Sequence, residues 1–408
     1  MEDIKEKGMA RLGWAEEHMP VLKELAKEIR ERGSLKDRRI AMALHTEAKT
    51  GVLALSLARA GALVRLVSCN PLSTDDTVAA ALKGTHPNLA VRAKKGESRD
   101  EYYSNLNWAL DMKPHILIDD GGDLVKLVHT ERQDMLPGIL GGCEETTTGI
   151  IRLKAMEREG KLRFPVMNVN DCAMKHLFDN RYGTGQSTLD GILTATNITL
   201  AGKRIHVAGY GWCGRGIAMR MKCLGAVVSV SEVDPVKAVE AAHDGMIPVS
   251  ILEAAPVSDI TITATGCKGV VSRAVIDELK DGCILANSGH FDNEIDVSYL
   301  EEFEKKRMRE HVVQYDVNGK RVNLISEGRL VNLAAGQGHP VEIMDMSFAL
   351  QAAGAEMIAL NRFENRVIPF PREIDERIAR IKLRAMGFSL DELTEEQKEY
   401  LSSWEEGT

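Results

Sequence analysis

The feature that most constrains the fold is a glycine-rich segment that follows a short apolar strand and begins a helix. The strand at 204–208 leads into Gly209-Tyr210-Gly211-Trp212-Cys213-Gly214. In this context Gly209 permits a tight turn, Gly211 lets the main chain approach a pyrophosphate, and Gly214 lets the helix pack closely on the strand. Free N–H groups at the helix N-terminus would bind the phosphates. The segment therefore predicts a dinucleotide-binding Rossmann fold.

An acidic residue after the next strand indicates which dinucleotide binds. The strand at 226–230 is followed by Glu232, about 20 residues beyond the glycines, where a carboxylate bonds the ribose 2′-hydroxyl. A carboxylate there also repels a 2′-phosphate. NAD, rather than NADP, is therefore the predicted cofactor.

Apolar strands alternate with helices over two stretches of chain. The predicted strands are 39–44, 62–68, 116–118 and 165–169 in the first stretch, and 204–208, 226–230, 260–264 and 283–286 in the second. Helices are expected over 15–32, 52–60, 76–82, 185–197, 341–360 and 373–386. This alternation predicts an α/β fold with two Rossmann-like, doubly wound parallel-sheet domains around a cleft, plus a short helical C-terminal tail.

The domain boundaries follow from this organisation. We expect a substrate-binding domain over 1–183, completed by 341–386, and an NAD-binding domain over 184–340. The tail occupies 387–408. Hinge motion is expected near 182–184 and 338–341, closing the cleft on substrate.

Composition narrows the class of partner. The net charge is -8 and no basic stripe is present, so neither nucleic acid nor an anionic membrane surface is an expected partner. No unbroken apolar run is long enough to span a bilayer. The seven cysteines are scattered without a Cys-x-x-Cys pair, which favours a reducing cytoplasmic location and gives no metal site.

Polar residues cluster where predicted strands of the first stretch end, which is where open α/β sheets bind ligands. Each cluster alone has an ordinary interpretation. His45 could cap a helix or lie in the core, Ser73 could cap the helix at 76–82, and Asp120 could be a turn residue. Glu145 could be a surface residue, and Lys175 and Asp179 could form an i,i+4 helix ion pair. Their occurrence in one domain, beside one dinucleotide site, favours a substrate site.

Longer peptides carry a family resemblance. They are Ser68-Cys69-Asn70, Asp119-Asp120-Gly121-Gly122-Asp123-Leu124, Glu144-Glu145-Thr146-Thr147-Thr148-Gly149, Phe178-Asp179-Asn180, Asn287 with Gly289-His290-Phe291-Asp292, Glu327–Leu333 and Gly338-His339-Pro340. In these peptides the chain resembles the S-adenosylhomocysteine hydrolase family nearly end to end. The resemblance implies an enzyme that oxidises the nucleoside 3′-hydroxyl with bound NAD, eliminates homocysteine, adds water and returns the hydride. It also implies a homotetramer.

The resemblance further implies a role for each matching residue. Lys175 and Asp179 would face the 3′-hydroxyl, with Lys175 as the base if its pKa is lowered. Glu145 and His290 would bind the ribose, and His45 and Asp120 would handle the C4′ proton and the leaving group. The remaining substrate contacts would be Glu47, Lys49, Thr50, Ser73, Asn180, His339, Met344 and Phe348. Met344 and Phe348 could equally be core residues at i and i+4. NAD would be held by Thr146, Thr147, Thr148, Gly209, Gly211, Trp212, Cys213, Gly214, Glu232, Lys237, Thr265, Gly266, His290, Asn332 and His339.

Three departures from the family pattern bear on specificity. The purine-facing segment reads His45-Thr46-Glu47-Ala48-Lys49-Thr50, similar to archaeal and some thermophilic members, so S-inosyl-L-homocysteine is a rival substrate. The acceptor Glu47 and the donor Lys49 match hypoxanthine directly, and adenine with the contacts exchanged. They could instead be a solvated pair away from the base. Many members have a longer lysine- and tyrosine-containing tail, so NAD enclosure is expected to differ here. Lys237 and Thr184 replace a common asparagine and cysteine.

Two other functions remain open at this stage. A plain NAD-dependent dehydrogenase of the 2-hydroxy-acid type would share the two-domain fold but would produce NADH in net turnover. A non-catalytic relative would bind NAD and a partner protein without turnover. The Glu145, Lys175 and Asp179 clusters argue against both alternatives.

Overall fold

A computed structural model describes residues 2–404. The first part of the chain contains α1 (Glu2–Glu17), α2 (Pro20–Arg32), β1 (Arg39–Ala43), α3 (Ala48–Arg59), β2 (Leu63–Val67), α4 (Asp76–Leu82), β3 (Leu89–Arg92), α5 (Arg99–Leu110), β4 (Ile116–Asp119), α6 (Asp123–Thr130), a 3-10 helix (Gln133–Gly138), β5 (Gly141–Glu144), α7 (Thr147–Arg158), β6 (Val166–Asn168) and α8 (Ala173–Lys175).

A π-helix (His176–Gly183) joins this part to the second. The second part contains α9 (Thr184–Thr196), β7 (Arg204–Ala208), α10 (Trp212–Cys223), β8 (Val227–Ser231), α11 (Pro235–His243), β9 (Ile247–Pro248), α12 (Ile251–Ala254), β10 (Ile260–Thr263), α13 (Arg273–Glu278), β11 (Ile284–Asn287), α14 (Val297–Leu300), β12 (Lys305–Arg309), β13 (Val312–Val317), β14 (Lys320–Ile325), a 3-10 helix (Ser326–Gly328) and α15 (Val331–Ala334). The chain continues through α16 (Val341–Leu360), β15 (Val367–Pro369), α17 (Arg372–Ala385) and α18 (Glu395–Ser402).

The strands form two sheets, which confirms the predicted α/β class. The first has the order β15-β6-β5-β4-β1-β2-β3 and is parallel throughout. Along β1, Ile40 and Met42 face one apolar cluster, and Ala41 and Ala43 face the other. The strand is therefore apolar on both faces, as a parallel sheet covered by helices requires.

The second sheet has the order β12-β13-β14-β11-β10-β7-β8-β9. Its parallel part runs from β14 to β9, and β13 pairs antiparallel with both β12 and β14 at one edge. The sequence analysis did not predict this antiparallel edge. It also missed β3, β5, β9 and β15. The Gly-Gly-Cys-Glu sequence of β5 lacks the β-branched and aromatic residues that indicate a strand.

The bounds of α4, α9, α16 and α17 agree with expectation to within one residue, whereas α3 begins at Ala48 rather than at 52, and α5 and α7 were not predicted. The single helix expected over 15–32 is wrong, because α1 ends at Glu17 and α2 begins at Pro20. Proline lacks the N–H that would continue α1 and disfavours helical backbone at the preceding Met19. Positions 405–408 of the predicted tail lie outside the described residues.

Within residues 2–404, one helix, α16, is long and apolar enough by composition to cross a membrane. Of its apolar window, 78% is buried inside the protein, where the helix packs against α2, α3 and β5. It is a core helix that packs against the first sheet, and it brings the chain back to that sheet.

Candidate functional site

One cavity of about 1160 Å³ lies where the carboxyl ends of both sheets meet. Of the residues predicted for substrate and cofactor, it is lined by all except Ser73 and Gly214. Ser73 instead contacts His45, with its hydroxyl oxygen 2.7 Å from Nδ1. Gly214 lies beneath the loop, against Gly209.

The π-helix places three polar side chains in this cavity. Lys175 precedes it, and Asp179 and Asn180 lie inside it. The Lys175 ammonium donates to Asn180 Oδ1 at 2.7 Å and lies 3.5 Å from Asp179 Oδ2. A π-helix is held by i→i+5 hydrogen bonds and has a wider turn than an α-helix, and here both the fourth and the fifth residue after Lys175 contact its ammonium. The sequence analysis expected only the i,i+4 pair.

The charge state of Lys175 differs from the expectation. Its ammonium is buried, which lowers the pKa, but Asp179 and Glu145 surround it, with Glu145 Oε1 at 3.6 Å. The two carboxylates outweigh burial and hold the pKa of Lys175 above its usual value. The lowered pKa that a base role for Lys175 alone requires is therefore not found, and Lys175 is a cation in this arrangement.

Glu145 has the opposite balance. Burial, only partly offset by Lys175, raises its pKa to about 8. Gln351 of α16 donates to Glu145 Oε2 at 2.5 Å. With a pKa near 8, Glu145 can exchange a proton near neutral pH.

The preceding residue, Glu144, holds the loop, because its Oε1 accepts the N–H groups of Gly121 and Thr146.

A hydrogen-bonded chain connects the substrate side with the cofactor side. His339 Nδ1 lies 2.5 Å from Asp179 Oδ1, and its Nε2 lies 3.1 Å from Asn332 Nδ2. Ser347 donates to the second oxygen of Asp179 at 2.8 Å. Although its burial opposes this, Lys175 and His339 lower the pKa of Asp179. Asp179 is therefore a fixed anion.

His45 follows β1, and Asp120 follows the neighbouring β4. His45 Nε2 lies 3.3 Å from Asp120 Oδ2. Burial lowers the pKa of His45 to about 4, although Asp120 opposes this. His45 is therefore neutral near pH 7 and can accept a proton.

His290 approaches Asp120 from the second sheet, with Nδ1 3.7 Å from Asp120 Oδ1. A Cβ at Gly121 would collide with the His290 ring, so this close approach requires glycine. The three residues His45, Asp120 and His290 thus come from loops of both sheets.

The purine-facing segment departs from expectation at Glu47. Its carboxylate caps α3 by accepting the N–H groups of Lys49 and Thr50, and its Oε1 also accepts the Thr50 hydroxyl proton. The Lys49 ammonium lies 2.6 Å from Glu47 Oε2 and donates to the Gln337 carbonyl at 3.1 Å. Met344 and Phe348 line the same cavity and also belong to the apolar core, so both interpretations hold.

The glycine-rich loop has the space that a dinucleotide needs. A Cβ at Gly211 would meet no atom of the described residues within 4 Å, so the space beside it is open. A Cβ at Gly214 would collide with the Gly209 carbonyl, which explains the glycine under the turn. Glu232 follows β8, and its Oε2 accepts the Tyr210 N–H at 2.7 Å.

Other cofactor-side residues surround this space. Asn332 Oδ1 is buried without a hydrogen-bond partner among residues 2–404, as expected of a group that awaits a ligand amide. Trp212 stacks on His176, Thr184 donates to Cys213, and Thr148 lies beside Gly266. Lys237 is half-exposed, 3.7 Å from Asp234. The residues present therefore fit NAD.

Several residues with direct contacts to the site escaped the sequence analysis. Glu294 accepts the main-chain N–H groups of Thr265 and Gly266, which fixes the loop after β10. Ser347 and Gln351 lie one helical turn apart on α16 and reach Asp179 and Glu145. For Ser347 and Gln351, the available signal in the sequence was their polarity within the apolar run at 341–360.

Comparisons with known proteins agree with this geometry. Residues 2–137 match the family model described as S-adenosyl-L-homocysteine hydrolase, and residues 180–338 match its NAD binding domain model. The chain belongs to the S-adenosyl-L-homocysteine hydrolase family.

Two relatives cover nearly the whole of both chains. An S-inosyl-L-homocysteine hydrolase of Methanocaldococcus jannaschii is 56% identical, covering 100% of this chain and 98% of the relative. An adenosylhomocysteinase of Thermoplasma volcanium is 55% identical, covering 98% and 99%. As a member of this family the chain is an NAD-dependent hydrolase of a nucleoside thioether. Because the two identities are nearly equal, overall similarity does not decide the purine base.

Proposed function

We propose that this hydrolase acts on S-inosyl-L-homocysteine in preference to S-adenosyl-L-homocysteine. The observation that carries the proposal is the position of the Lys49 ammonium in the cavity. Its side chain is 10% exposed, and two contacts, with Glu47 and with the Gln337 carbonyl, hold it in place.

The hydrogen-bonding capacity of this group favours hypoxanthine. An ammonium has three donors and no acceptor, so one N–H of Lys49 remains for a ligand. The O6 of hypoxanthine accepts such a bond, and its N1–H can donate to the Gln337 carbonyl. Glu47, the side-chain carboxylate nearest to Lys49 that could accept from an adenine amine, already accepts hydrogen bonds from Lys49 and Thr50.

Adenine is the second candidate, because the Gln337 carbonyl could accept its amine while Lys49 donates to N1. The relatives named above carry both activities in their names. The two candidates differ in which base atom faces Lys49. Substitution of Lys49 should therefore change the preference between the two bases.

For the 3′-hydroxyl we assign proton exchange to Lys175 and Glu145 acting as a pair. When bound, NAD supplies a hydride acceptor for the 3′-carbon. Lys175 donates to the 3′-oxygen, and Glu145, with its pKa near 8, takes up or releases the proton that the pair exchanges. Asp179, Asn180 and His290 orient the ribose.

For the elimination step we assign His45, which is neutral, together with Asp120, to the C4′ proton and to the leaving thiolate or incoming water. His45 is a competent acceptor because burial keeps it neutral. On the cofactor side, the assigned residues are Thr146, Thr147, Thr148, Gly209, Gly211, Trp212, Cys213, Gly214, Glu232, Lys237, Thr265, Gly266, Asn332 and His339.

We also propose how the chain divides into domains and how it assembles. We assign residues 1–183 with 341–386 to a substrate-binding body and 184–340 to an NAD-binding body that close by hinge motion near 182–184 and 338–341. A Cβ at Gly183 would press against the His339 ring, so the two hinges lie in contact. A homotetramer is proposed on the family resemblance alone, and a cytoplasmic location on the seven scattered cysteines.

The test is thioether synthesis from homocysteine with inosine or adenosine, comparing kcat/KM for the two nucleosides. We expect inosine to be preferred and Lys49→Gln to shift the ratio by at least about 10-fold, because an unpaired polar group penalises the wrong base. Lys154→Gln, which changes a half-exposed lysine of α7, should leave the ratio unchanged. A wild-type preference for adenosine, or an unaltered ratio in Lys49→Gln, would contradict the proposal.

A further inference from the structure

Three different metal-ligand types converge at the substrate end of the cavity. His45, Cys69 and Asp120 follow β1, β2 and β4, which are neighbours in the first sheet. Their ligand atoms all lie within 4.8 Å of one another. Cys69 Sγ is 3.3 Å from His45 Nδ1 and 3.7 Å from Asp120 Oδ2.

These separations match the edges of a tetrahedral zinc site. With Zn–S of about 2.3 Å and Zn–N or Zn–O of about 2.0–2.2 Å, tetrahedral angles give S···N and S···O distances of roughly 3.5 Å. The two sulfur distances bracket this figure, whereas the 3.3 Å contact between His45 and Asp120 is made by Nε2, so the His45 ring must turn for one nitrogen to face both ligands. One nitrogen of His45 must leave its present neighbour, since Nδ1 also contacts the Ser73 hydroxyl at 2.7 Å.

A fourth donor lies close by. His290 Nδ1 is 3.7 Å from the other oxygen of Asp120, and the rings of His45 and His290 are 6.1 Å apart. Two imidazoles, one thiolate and one carboxylate form a donor set that favours zinc and other thiophilic ions over Mg²⁺ or Ca²⁺. Residues that arrive from adjacent strand ends are also rigidly held, as a tight site requires.

We propose that His45, Cys69 and Asp120, with His290 as a fourth ligand, form an inhibitory site for a thiophilic divalent cation such as Zn²⁺. On binding, the sulfur–hydrogen bond of Cys69 breaks, a metal–thiolate bond forms, and the proton goes to solvent; no electron is transferred. The inhibition rests on the proposed function, because the ion would occupy His45 and Asp120 and exclude the nucleoside.

The test uses Co²⁺ as a spectroscopic substitute for Zn²⁺ in the NAD-bound protein. We expect one Co²⁺ per chain and a thiolate-to-cobalt charge-transfer band in the near ultraviolet. Cys69→Ser should abolish the band and weaken metal binding by at least about 100-fold, since even outer-shell changes cost roughly 10- to 100-fold. Cys223→Ser, at an exposed cysteine in the last turn of α10, is the matched control and should change neither.

Two further measurements keep the outcome decisive. Saturating inosine or adenosine should suppress the band in the unaltered protein, which requires no variant to fold. Zn²⁺ should inhibit thioether synthesis competitively with the nucleoside, whereas Mg²⁺ should not. Absence of the band, its persistence in Cys69→Ser, or its indifference to nucleoside would overturn the site. A protein that binds Co²⁺ as expected but has no hydrolase activity would refute the proposed function alone.

Discussion

The two halves of the cavity are built in different ways. The cofactor half is made of main chain and empty space, with Gly209, Gly211 and Gly214 around a helix N-terminus. The substrate half is made of polar and charged side chains that contact one another, such as Lys175 with Asn180, Asp179 and Glu145. The cofactor half is thus a main-chain cradle formed by these glycines and the N-terminus of α10, and the substrate half is a preassembled polar network.

This difference shows where each half is sensitive. A cradle of main chain tolerates changes in side chains but not added volume, because close approach of the backbone is what it provides. A buried polar network tolerates small changes in volume but not the loss of a partner, since the groups that contacted that partner are then left unpaired. Removing one charge from the substrate half should therefore have a larger effect than adding one methyl group to the cofactor half.

The largest expected effect is that of Lys175→Met. Loss of the ammonium removes the donor to the 3′-oxygen and leaves Glu145 and Asp179 without their cation, so kcat should fall by about 10³-fold. NAD binding should be retained, because Lys175 lies in the substrate half. Rapid-mixing measurements of nicotinamide reduction by nucleoside would check this. Lys154→Met is the matched control, and normal reduction in Lys175→Met would contradict the role.

Gly211→Ala is expected to have the next largest effect, and on the other half. Its backbone has φ -68° and ψ -170°, which alanine adopts freely, and its Cβ would meet no described atom within 4 Å. The fold should tolerate the change, whereas NAD affinity should fall by roughly 10-fold or more, because the methyl group would occupy the cradle.

Calorimetric titration of NAD and the thermal unfolding midpoint of the NAD-free protein would separate these effects. Gly13→Ala, in α1 and with open space around it, is the control and should leave NAD affinity unaltered. Equal NAD affinity in Gly211→Ala would mean that the loop does not approach the pyrophosphate.

The same contrast explains how much could be predicted from the sequence. The cofactor half is encoded by local spacing, so Gly209–Gly214 and Glu232 could be identified from residues that are neighbours in the chain. The pairing of Glu145 with Lys175 brings together the end of β5 and the end of α8, and no local pattern encodes such a contact. Their positions near predicted strand ends favoured one substrate site, but only the resemblance gave each of these residues a role.

Charge states were the least predictable property. The base role of Lys175 required a lowered pKa, yet the structure surrounds its ammonium with two carboxylates that raise it. The sequence shows a lysine and two carboxylic acids, but whether the pKa of the lysine is raised or lowered depends on distances that only the fold determines. Glu47 is a similar case, because it became the cap of α3 rather than a free acceptor for the base.

The smallest expected effect is a stability difference that depends on pH. An unfolded histidine binds its proton near pH 6.5, whereas burial lowers the pKa of His45 to about 4. Between these values the unfolded chain binds more protons than the folded one, so stability falls as pH falls through this window. The loss in the free energy of unfolding attributable to His45 should be about 2 kcal/mol between pH 7 and pH 5.

Denaturant unfolding at both pH values would measure this loss. On acidification, His45→Gln should lose about 2 kcal/mol less than the unaltered protein. His243→Gln, at an exposed histidine, should lose as much as the unaltered protein. If His45→Gln loses as much stability on acidification as the unaltered chain does, burial does not lower the pKa of His45 in the fold, and the argument that burial keeps this acceptor neutral fails with it.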